Sequence, residues 1–461
     1  MNGVRHRLRA GASRVRLEAP VGGPMMGYGA RSAGALGTRD PLYARALYLS
    51  EQSDWIWIEL DLCLLAPSHA EVIRARVAER TGVPAPRVVV ACTHTHSGPE
   101  TGLFAALGRA PTPAPAARLL DAAVEVAARA RAAAVPARLG IGHATASIGR
   151  NRRLEGGPVD PEILVARIDR DEGGPLAVVY IHGCHPTVLG HDNLRYSADW
   201  PGAASRGIEA ALPGALGFFA LGAHGDVDPR TRGLQDLALA DQSRGASDEQ
   251  MEALGREVGE AVAQTAAGIV PDADAPVCSR ATSVVVPVHG ADGEPEARAA
   301  ALEAARLRAV SALALDPALD PDVGAWFRLI AERTAALPAD DARPRIAAVR
   351  AYLRDRTAPY FAGGLCPSLS LQVLRLGPAA LLTLPAEATT DVGLAWKARL
   401  GGAPGSVLSI ANGWFRYLPD ARNFAEPEAG QHYEILMSTF VPDAATRLLE
   451  AGESLLRSMR C

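Results

Sequence analysis

Residues 55–99 read WIWIELDLCLLAPSHAEVIRARVAERTGVPAPRVVVACTHTHSGP, and this stretch decides the fold class. The run 55–60 is apolar and rich in β-branched and aromatic residues, so we expect a strand there. A helix from His69 to about Arg80 is expected next, with Gly82 marking its end, and 88–91 resumes as a strand. A strand, a helix and a second strand in this order predict an α/β layered fold.

The same alternation continues along the chain. Further predicted strands are 176–181, 216–221, 281–288, 369–376 and 379–384, and further predicted helices are 116–134, a helix from Ser247 with a capping-box spacing to Gln250, and 443–459. We expect an α/β fold with a mixed-sheet core, helices packed on it, and a helical insertion at 290–358. Such an insertion either packs on the core or forms a lid or a subunit contact, so a homo-oligomer is one expectation.

The composition limits the function classes. The chain has 461 residues, 48% hydrophobic and 21% charged, with a formal net charge of -4. These values are typical of a soluble globular protein, and they give no electrostatic reason to expect a nucleic-acid partner. Residues 1–19 carry five arginines but no apolar run long enough for a signal-peptide core or a membrane span. We therefore expect a cytoplasmic protein without a stable membrane anchor.

Five of the eleven histidines lie in three short polar clusters, each next to the end of an apolar strand. The clusters are 93–99 (THTHSGP), 182–187 (HGCHPT) and 224–229 (HGDVDP). In open α/β folds the loops at the carboxyl ends of strands converge on one crevice, where ligands bind. The sequence therefore predicts one functional site to which all three clusters contribute.

The first cluster carries a possible metal signature. His94 and His96 are two residues apart on a segment expected to be extended, so their side chains share one face and can point to one centre. A His-x-His pair at a strand end indicates a zinc site, with hydrogen-bonded histidines as the alternative. His185, in a Cys-His-Pro turn, is either a core histidine or a ligand, and His182 is expected to be structural.

Two classes of metal hydrolase also carry His-x-His after a strand. Amidohydrolase barrels usually need a carboxylated lysine in mid-chain, whereas the only lysine of this chain is Lys397. Metallo-β-lactamase-type hydrolases need His-x-His-x-Asp-His, whereas this chain has Ser97 and Gly98 after the pair. Both patterns therefore fit poorly.

An ordered set of motifs resembles the neutral/alkaline, non-lysosomal ceramidase family. In chain order these motifs are Gly27-Tyr28-Gly29, 40–46 (DPLYARA), 93–99 (THTHSGP), Asn151-Arg152, 184–187 (CHPT), 225–229 (GDVDP) and 385–390 (PAEATT). The resemblance extends over about 20–435, which is almost the whole chain, and so it implies one catalytic domain over 1–461. It implies a zinc-dependent amide hydrolase.

The resemblance also implies a ligand set and further site residues. The zinc ligands would be His94, His185, Glu387 and Tyr417, the last within 412–419 (NGWFRYLP). Tyr433 corresponds to a second tyrosine of the family, near the substrate.

Three further residues have predicted roles beside the metal. His96 is placed to hydrogen-bond the attacking water or the tetrahedral oxyanion. Arg152 either stabilises the same oxyanion or binds a substrate polar group, with a surface salt bridge as the alternative. Asp228 stands where ceramidases carry serine, and a carboxylate cannot donate to an oxyanion unless it is protonated. It would instead act as a general base, protonate a leaving amine or bind a cationic amine; the alternative is a turn aspartate that caps the backbone before Pro229.

The resulting hypothesis is a zinc-dependent hydrolase that cleaves a C–N amide bond by attack of metal-bound water. Secreted ceramidases carry a leader and a carboxyl-terminal immunoglobulin-like domain, and we expect this chain to lack both. Ceramide is a membrane lipid, so a soluble N-acyl amine or amide metabolite is the expected substrate. Two alternatives stay open, namely the same metal scaffold acting on an ester, lactone or other bond, and a metal-binding protein that has lost catalysis.

Overall fold

The structure, a computed structural model, describes residues 7–28, 31, 33–101, 114–232, 245–286, 368–426, 429, 432–438 and 440–459. The predicted helical insertion at 290–358 lies outside these residues and stays a prediction, as does the assignment of 1–461 to one domain.

The described residues form a mixed α/β structure. In chain order the strands are β1 (Arg9–Arg16), β2 (Gly37–Thr38), β3 (Tyr43–Ser50), β4 (Asp54–Leu60), β5 (Val88–Cys92), β6 (Val135–Thr145), β7 (Gly149–Asn151), β8 (Glu162–Arg170), β9 (Pro175–His182), β10 (Arg195–Tyr196), β11 (Leu216–Leu221), β12 (Val227–Pro229), β13 (Val277–Val285), β14 (Ser368–Leu376), β15 (Ala379–Thr383), β16 (Glu387–Ala388), β17 (Gly405–Leu408) and β18 (Tyr417–Leu418). The helices are α1 (Pro67–Thr81), α2 (Ala114–Ala132), α3 (Asp199–Ala211), α4 (Asp248–Gly268), α5 (Thr390–Arg399), α6 (Ala421–Phe424), α7 (Tyr433–Met437) and α8 (Ala444–Ser458).

Two sheets form the centre of the structure. The larger has eight strands in the order β11-β9-β8-β6-β1-β3-β4-β5, and it is mixed because β9 and β11 pair in parallel, as do β4 and β5, whereas the other neighbours are antiparallel. The smaller sheet has the order β13-β14-β15-β17. The predicted mixed-sheet core is therefore confirmed.

Three apolar cores separate successive layers. The first lies between one face of the large sheet and helices α1 to α4, with Ile73 and Trp200 among its members. The second lies between the two sheets and contains Trp57 and Leu381. The third packs the outer face of the small sheet against α5 and α8. The order of layers is therefore helices, large sheet, small sheet and helices.

The large sheet is curled so that its two edges come together. Trp57 of β4 packs on Phe218 of β11 with ring centroids 5.2 Å apart, although these strands lie near opposite ends of the sheet order. The segment 409–412, which follows β17, bridges the edges: the Ser409 amide donates to the Leu221 carbonyl (2.9 Å), and the Asn412 amide donates to the Val90 carbonyl (2.6 Å). The carboxyl ends of β5, β9 and β11 therefore converge.

Local sequence signals explain several element boundaries. Helix α1 begins at Pro67 and ends before Gly82, which takes a left-handed φ of 74°. Helix α4 begins after Ser247, whose side chain forms the predicted capping box with Gln250. None of the described helices combines the length and apolar character needed to cross a membrane.

Candidate metal centre

Four buried side chains converge at the carboxyl ends of the curled sheet. The Glu387 Oε2 atom lies 3.4 Å from His94 Nε2, 3.3 Å from His185 Nε2 and 3.6 Å from His224 Nε2. One ligand atom from each of the four residues lies within 4.8 Å of all the others. Three imidazoles and one carboxylate in this arrangement can hold a metal ion.

The fold delivers each of these side chains from the end of a strand. His94 follows β5, His185 follows β9 and His224 follows β11, whereas Glu387 begins β16. The backbone of His94 has a left-handed φ of 67°, so the predicted extended geometry of 93–96 is wrong at this residue. The two rings nevertheless meet as predicted, with His94 Nε2 lying 3.1 Å from His96 Nε2.

A hydrogen bond from Nδ1 to a backbone carbonyl orients each of the three imidazoles. The Nδ1 atoms donate to backbone carbonyls: His94 to Cys63 (2.9 Å), His185 to Val227 (3.0 Å) and His224 to Gly222 (3.1 Å). Because a carbonyl oxygen only accepts, Nδ1 carries the proton and Nε2 of the neutral ring is left with a lone pair. Such carbonyl contacts are the usual support of metal-ligating histidines.

Several buried polar atoms of these four residues lack hydrogen-bond partners among the described residues, as expected of atoms that bind a metal ion. Within the part of the chain that the structure describes, His185 Nε2, His224 Nε2 and Glu387 Oε2 are buried without a hydrogen-bond partner. The other carboxylate oxygen of Glu387 accepts from Trp414 Nε1 at 2.8 Å, which fixes the direction of Oε2. Buried polar atoms that converge without partners are expensive, and a bound cation satisfies them together.

The electrostatics of the cluster set which of these groups are charged before a metal binds. Burial opposes ionisation of Glu387, but His94, His185 and His224 outweigh it, so the pKa of this carboxyl lies well below its ordinary value. Burial and the nearby Arg152 lower the pKa of His185 to about 3. Burial also lowers the pKa of His94, but Cys63 and Glu387 outweigh it and raise that pKa to about 10. The cluster therefore holds a carboxylate, neutral His185 and a proton on His94.

His96 borders the cluster on its partly exposed side. Its ring meets that of Tyr28 edge to face with centroids 4.8 Å apart, and its carbonyl accepts from Arg31 Nη2 at 2.9 Å. Gly27, at φ 116°, lies so close that an added Cβ would be 2.5 Å from the His96 ring. Burial, together with the neighbouring His94 and His185, holds the pKa of His96 well below its ordinary value. His96 is therefore a neutral imidazole fixed beside the three ligand candidates.

Tyr417 and Tyr433 lie beside the cluster around Arg152. Residues Glu387 and Tyr417 are paired between β16 and β18, which brings the phenol next to the carboxylate. The Tyr417 hydroxyl accepts from Arg152 Nη2 at 3.1 Å, and the rings of Tyr417 and Tyr433 meet edge to face at 5.4 Å. The guanidinium lies over both rings. Tyr417 thus borders the metal site through Glu387 and Arg152.

Arg152 is a buried hub and not a surface residue. It is 4% exposed, and it donates to Glu434 Oε1 (2.6 Å), to the Gly225 carbonyl (2.7 Å), to Tyr417 and to Asp228 Oδ1 (3.3 Å). The surface salt bridge considered as the alternative is therefore wrong. The donors of Arg152 are thus committed to these groups, and Tyr417 links it to Glu387.

Asp228 lies behind His185, on the side away from the metal-facing nitrogen. Its Oδ1 atom is 3.8 Å from His185 Nδ1 and accepts from Thr187 Oγ1 at 3.3 Å. Burial raises the pKa of Asp228, but Arg152 and Arg232 outweigh it and keep it below the ordinary value. Asp228 is therefore a carboxylate at neutral pH.

The structure brings together most of the residues predicted from the sequence, and it adds one. His94, His185 and Glu387 form the cluster, while His182 lies apart, with its ring 6.0 Å from that of Trp200. The addition is His224, which the sequence analysis placed in a polar cluster without giving it a role. Its spacing was the missed signal, because His224 follows the end of β11 by three residues, as His185 follows the end of β9.

Comparison with known proteins supports the fold. No family model matches the sequence, and no curated protein matches it. The neutral ceramidase from Pseudomonas aeruginosa is similar in structure, with a TM-score of 0.69 and 20% identity over 98% of this chain and 74% of that chain. A ceramidase complexed with C2 has a TM-score of 0.71 and 20% identity over 98% of this chain and 75% of that chain. The predicted resemblance is therefore confirmed at the level of structure: the chain has the fold of neutral ceramidase.

Proposed function

We propose that this chain is a zinc-dependent hydrolase that cleaves a C–N amide bond of a soluble N-acyl amine or amide metabolite. The observation that supports it most is the convergence of His94, His185, His224 and Glu387, with three of their buried atoms unsatisfied in the described part of the chain. Because the fold is similar to that of neutral ceramidase, amides are the first class of substrate to test.

Three ligands are common to the prediction and to the observed cluster, namely His94, His185 and Glu387. Two side chains compete for a further position: His224 presents Nε2 to the cluster, and Tyr417 lies against Glu387. Zinc bound here would polarise a substrate carbonyl and lower the pKa of water to about 7. The carbonyl contacts of the three Nδ1 atoms keep the imidazoles in the required tautomer.

The remaining polar groups have different expected roles around the substrate. His96, neutral and partly exposed beside His94, hydrogen-bonds the attacking water or the oxygen of the scissile carbonyl. Tyr417, held by Arg152, has its hydroxyl next to Glu387, and Tyr433 packs on Tyr417 and Arg152. Such groups can stabilise the negative charge that develops during attack on an amide carbon.

The test combines metal analysis with substrate comparison. We expect purified protein to hold about one zinc per chain, to lose amide hydrolysis on chelation and to regain it when zinc is restored. Matched acyl amides and acyl esters, with products identified by mass spectrometry, separate amide hydrolysis from action on another bond. His94→Ala and Glu387→Gln should each abolish stoichiometric zinc and turnover.

A matched control is available in the same chain. His143 is exposed and pairs with Glu162 outside the cluster, so His143→Gln should leave zinc content and turnover unchanged. Full amide turnover by zinc-free protein, or by either ligand variant, would contradict the proposal. Turnover of the esters alone would move the function to the ester alternative.

A further inference from the structure

Two tyrosine hydroxyls on different sides of the metal centre each accept a hydrogen bond from an arginine. Tyr417, next to Glu387, accepts from Arg152 Nη2 at 3.1 Å. Tyr28, whose ring packs on His96, accepts from Arg232 Nη1 at 3.0 Å. The two arginines belong to separate segments, and each approaches its tyrosine independently.

Asp228 lies between these two arginines. Its Oδ1 atom accepts from Arg152 Nη1 at 3.3 Å, and its Oδ2 atom is 3.8 Å from Arg232 Nε. All three charged side chains are buried, with exposed fractions of 1% for Asp228, 4% for Arg152 and 7% for Arg232. A continuous chain of contacts therefore runs Tyr28, Arg232, Asp228, Arg152, Tyr417, and we call it the Asp228 network.

The backbone fixes the centre of this network. Strands β12 and β7 pair in antiparallel register with Asp228 opposite Arg150, and the Arg152 amide donates to the Asp226 carbonyl at 2.8 Å. On the other side, the Arg232 amide donates to the Pro229 carbonyl at 2.9 Å and turns its side chain back toward Asp228. The two guanidiniums are thereby held on either side of one carboxylate.

The charges explain why a carboxylate lies between the two arginines. Two buried guanidiniums repel each other, and a carboxylate between them offsets both the repulsion and part of the cost of burial. Asp228 does this for both arginines, and Glu434 adds a second carboxylate for Arg152 at 2.6 Å. Loss of the Asp228 charge should therefore loosen both guanidiniums.

We propose that Asp228 is a positioning residue that holds Arg152 and Arg232, and through them fixes the Tyr417 and Tyr28 hydroxyls on the two sides of the metal centre. It does not contact the substrate, and it is not a substitute for the serine that ceramidases carry at this position. Only the role of the two hydroxyls in catalysis depends on the proposed function. The network itself is a property of the fold.

The first experiment measures the network without turnover. In zinc-loaded protein labelled with ¹³C at the tyrosine Cζ, the resonances of Tyr28 and Tyr417 are assigned with Tyr28→Phe and Tyr417→Phe. Asp228→Asn is expected to shift both resonances, because both hydroxyls lose their fixed donors. Arg232→Gln, which leaves Asp228 in place, should also shift the Tyr417 resonance, and it replaces Asp228→Asn if that variant does not fold. If neither substitution moves the Tyr417 resonance, the proposal is overturned.

The second experiment measures catalysis by folded, zinc-loaded variants. Asp228→Asn should lower kcat for an amide about 10- to 100-fold, the usual cost of losing a supporting contact at a metal site, with a smaller change in KM and no loss of zinc. Asp228→Ser should be no more active than Asp228→Asn, since serine restores no charge. Tyr28→Phe should cost less in the Asp228→Asn background than in the wild type, because the hydroxyl keeps its bond to the Leu189 carbonyl there but loses a fixed arginine donor.

A matched control removes a carboxylate from a neighbouring arginine outside the network. Glu257 pairs with Arg230 at 2.7 Å on the surface, so Glu257→Gln should leave the tyrosine resonances and kcat unchanged. Wild-type activity in Asp228→Ser, or full additivity of Tyr28→Phe with Asp228→Asn, would overturn the proposal. If the wild type hydrolyses no amide, the proposed function fails, and the tyrosine resonances still decide the network.

Discussion

At the scale of single residues, His224 and Tyr417 differ in how their polar atoms are used. His224 Nε2 faces Glu387 Oε2 at 3.6 Å and has no hydrogen-bond partner in the described part of the chain. The Tyr417 hydroxyl already accepts from Arg152 and is adjacent to Glu387. Burial and the negative charge of Glu387 hold the pKa of Tyr417 well above its ordinary value, which disfavours the phenolate. When its Nε2 atom is unprotonated, His224 is thus the better metal ligand of the two residues.

This difference leads to a prediction about metal affinity. His224→Ala should weaken zinc binding at least 10- to 100-fold, whereas Tyr417→Phe should weaken it less and reduce mainly kcat. Competition with a chromogenic chelator gives both affinities. His143→Gln serves as the histidine control, because His143 is exposed and lies outside the cluster. The reverse order of effects would assign the fourth ligand to Tyr417, as the ceramidase resemblance implies.

The protonation of His94 gives a second prediction at this scale. Its pKa is raised to about 10, so in the metal-free protein both ring nitrogens of His94 are protonated at neutral pH, while His185, with a pKa of about 3, is a neutral imidazole. A metal ion that binds His94 must displace one of these protons. Affinity should therefore rise as pH rises, by up to about tenfold per unit, until the pH passes the pKa of His94.

Titration calorimetry in buffers of different ionisation enthalpy measures the number of protons released. At pH 6.5, where a zinc-bound water with a pKa of about 7 is still mostly protonated, we expect about one proton per zinc. His94→Asn should release fewer protons and bind zinc more weakly. Binding by the wild type without proton release would show that His94 is neutral before zinc arrives.

At the scale of elements, local patterns predicted the strands and helices well where periodicity and capping agree. The predicted strand 216–221 is β11, the predicted 55–60 is β4 within one residue, and the predicted helix 443–459 is α8 within one residue at each end. Ser247 forms the capping box that its spacing to Gln250 predicts. These features depend on residues close together in sequence, which is why one sequence suffices to find them.

Such local patterns do not predict contacts between residues that are far apart in the sequence. The left-handed φ of His94 arises where the chain leaves β5, and its amide donates to the Leu62 carbonyl at 2.9 Å, a pairing that periodicity does not encode. The role of Arg152 as a buried hub depends on Glu434, 282 positions away. Strand-end positions therefore predicted that the three histidine clusters meet, and the family resemblance added Glu387, but neither predicted which atoms these side chains present.

At the scale of the whole molecule, the candidate metal centre draws its side chains from two parts of the fold. His94, His185 and His224 follow strands of the large sheet, whereas Glu387 begins β16, which pairs with β18. The bridging segment 409–412 closes the gap between β5 and β11 and thereby brings the histidines to the carboxylate. The sequence did not predict this closure, since strand order and curl depend on packing between distant segments.

Because these ligands come from different layers, metal binding should stabilise the whole fold. A ligand that binds only the native state adds RT ln(1 + [L]/Kd), which is about 4 kcal/mol at a free concentration one thousand times Kd. Denaturant unfolding at a series of buffered zinc concentrations should therefore show a midpoint that rises with the logarithm of free zinc. Glu387→Gln, which removes the charge contributed from outside the large sheet, should abolish most of this gain, while His143→Gln should keep it. A zinc-independent midpoint in the wild type would mean that the four side chains do not bind the ion as one site, and an undiminished gain in Glu387→Gln would confine the site to the large sheet.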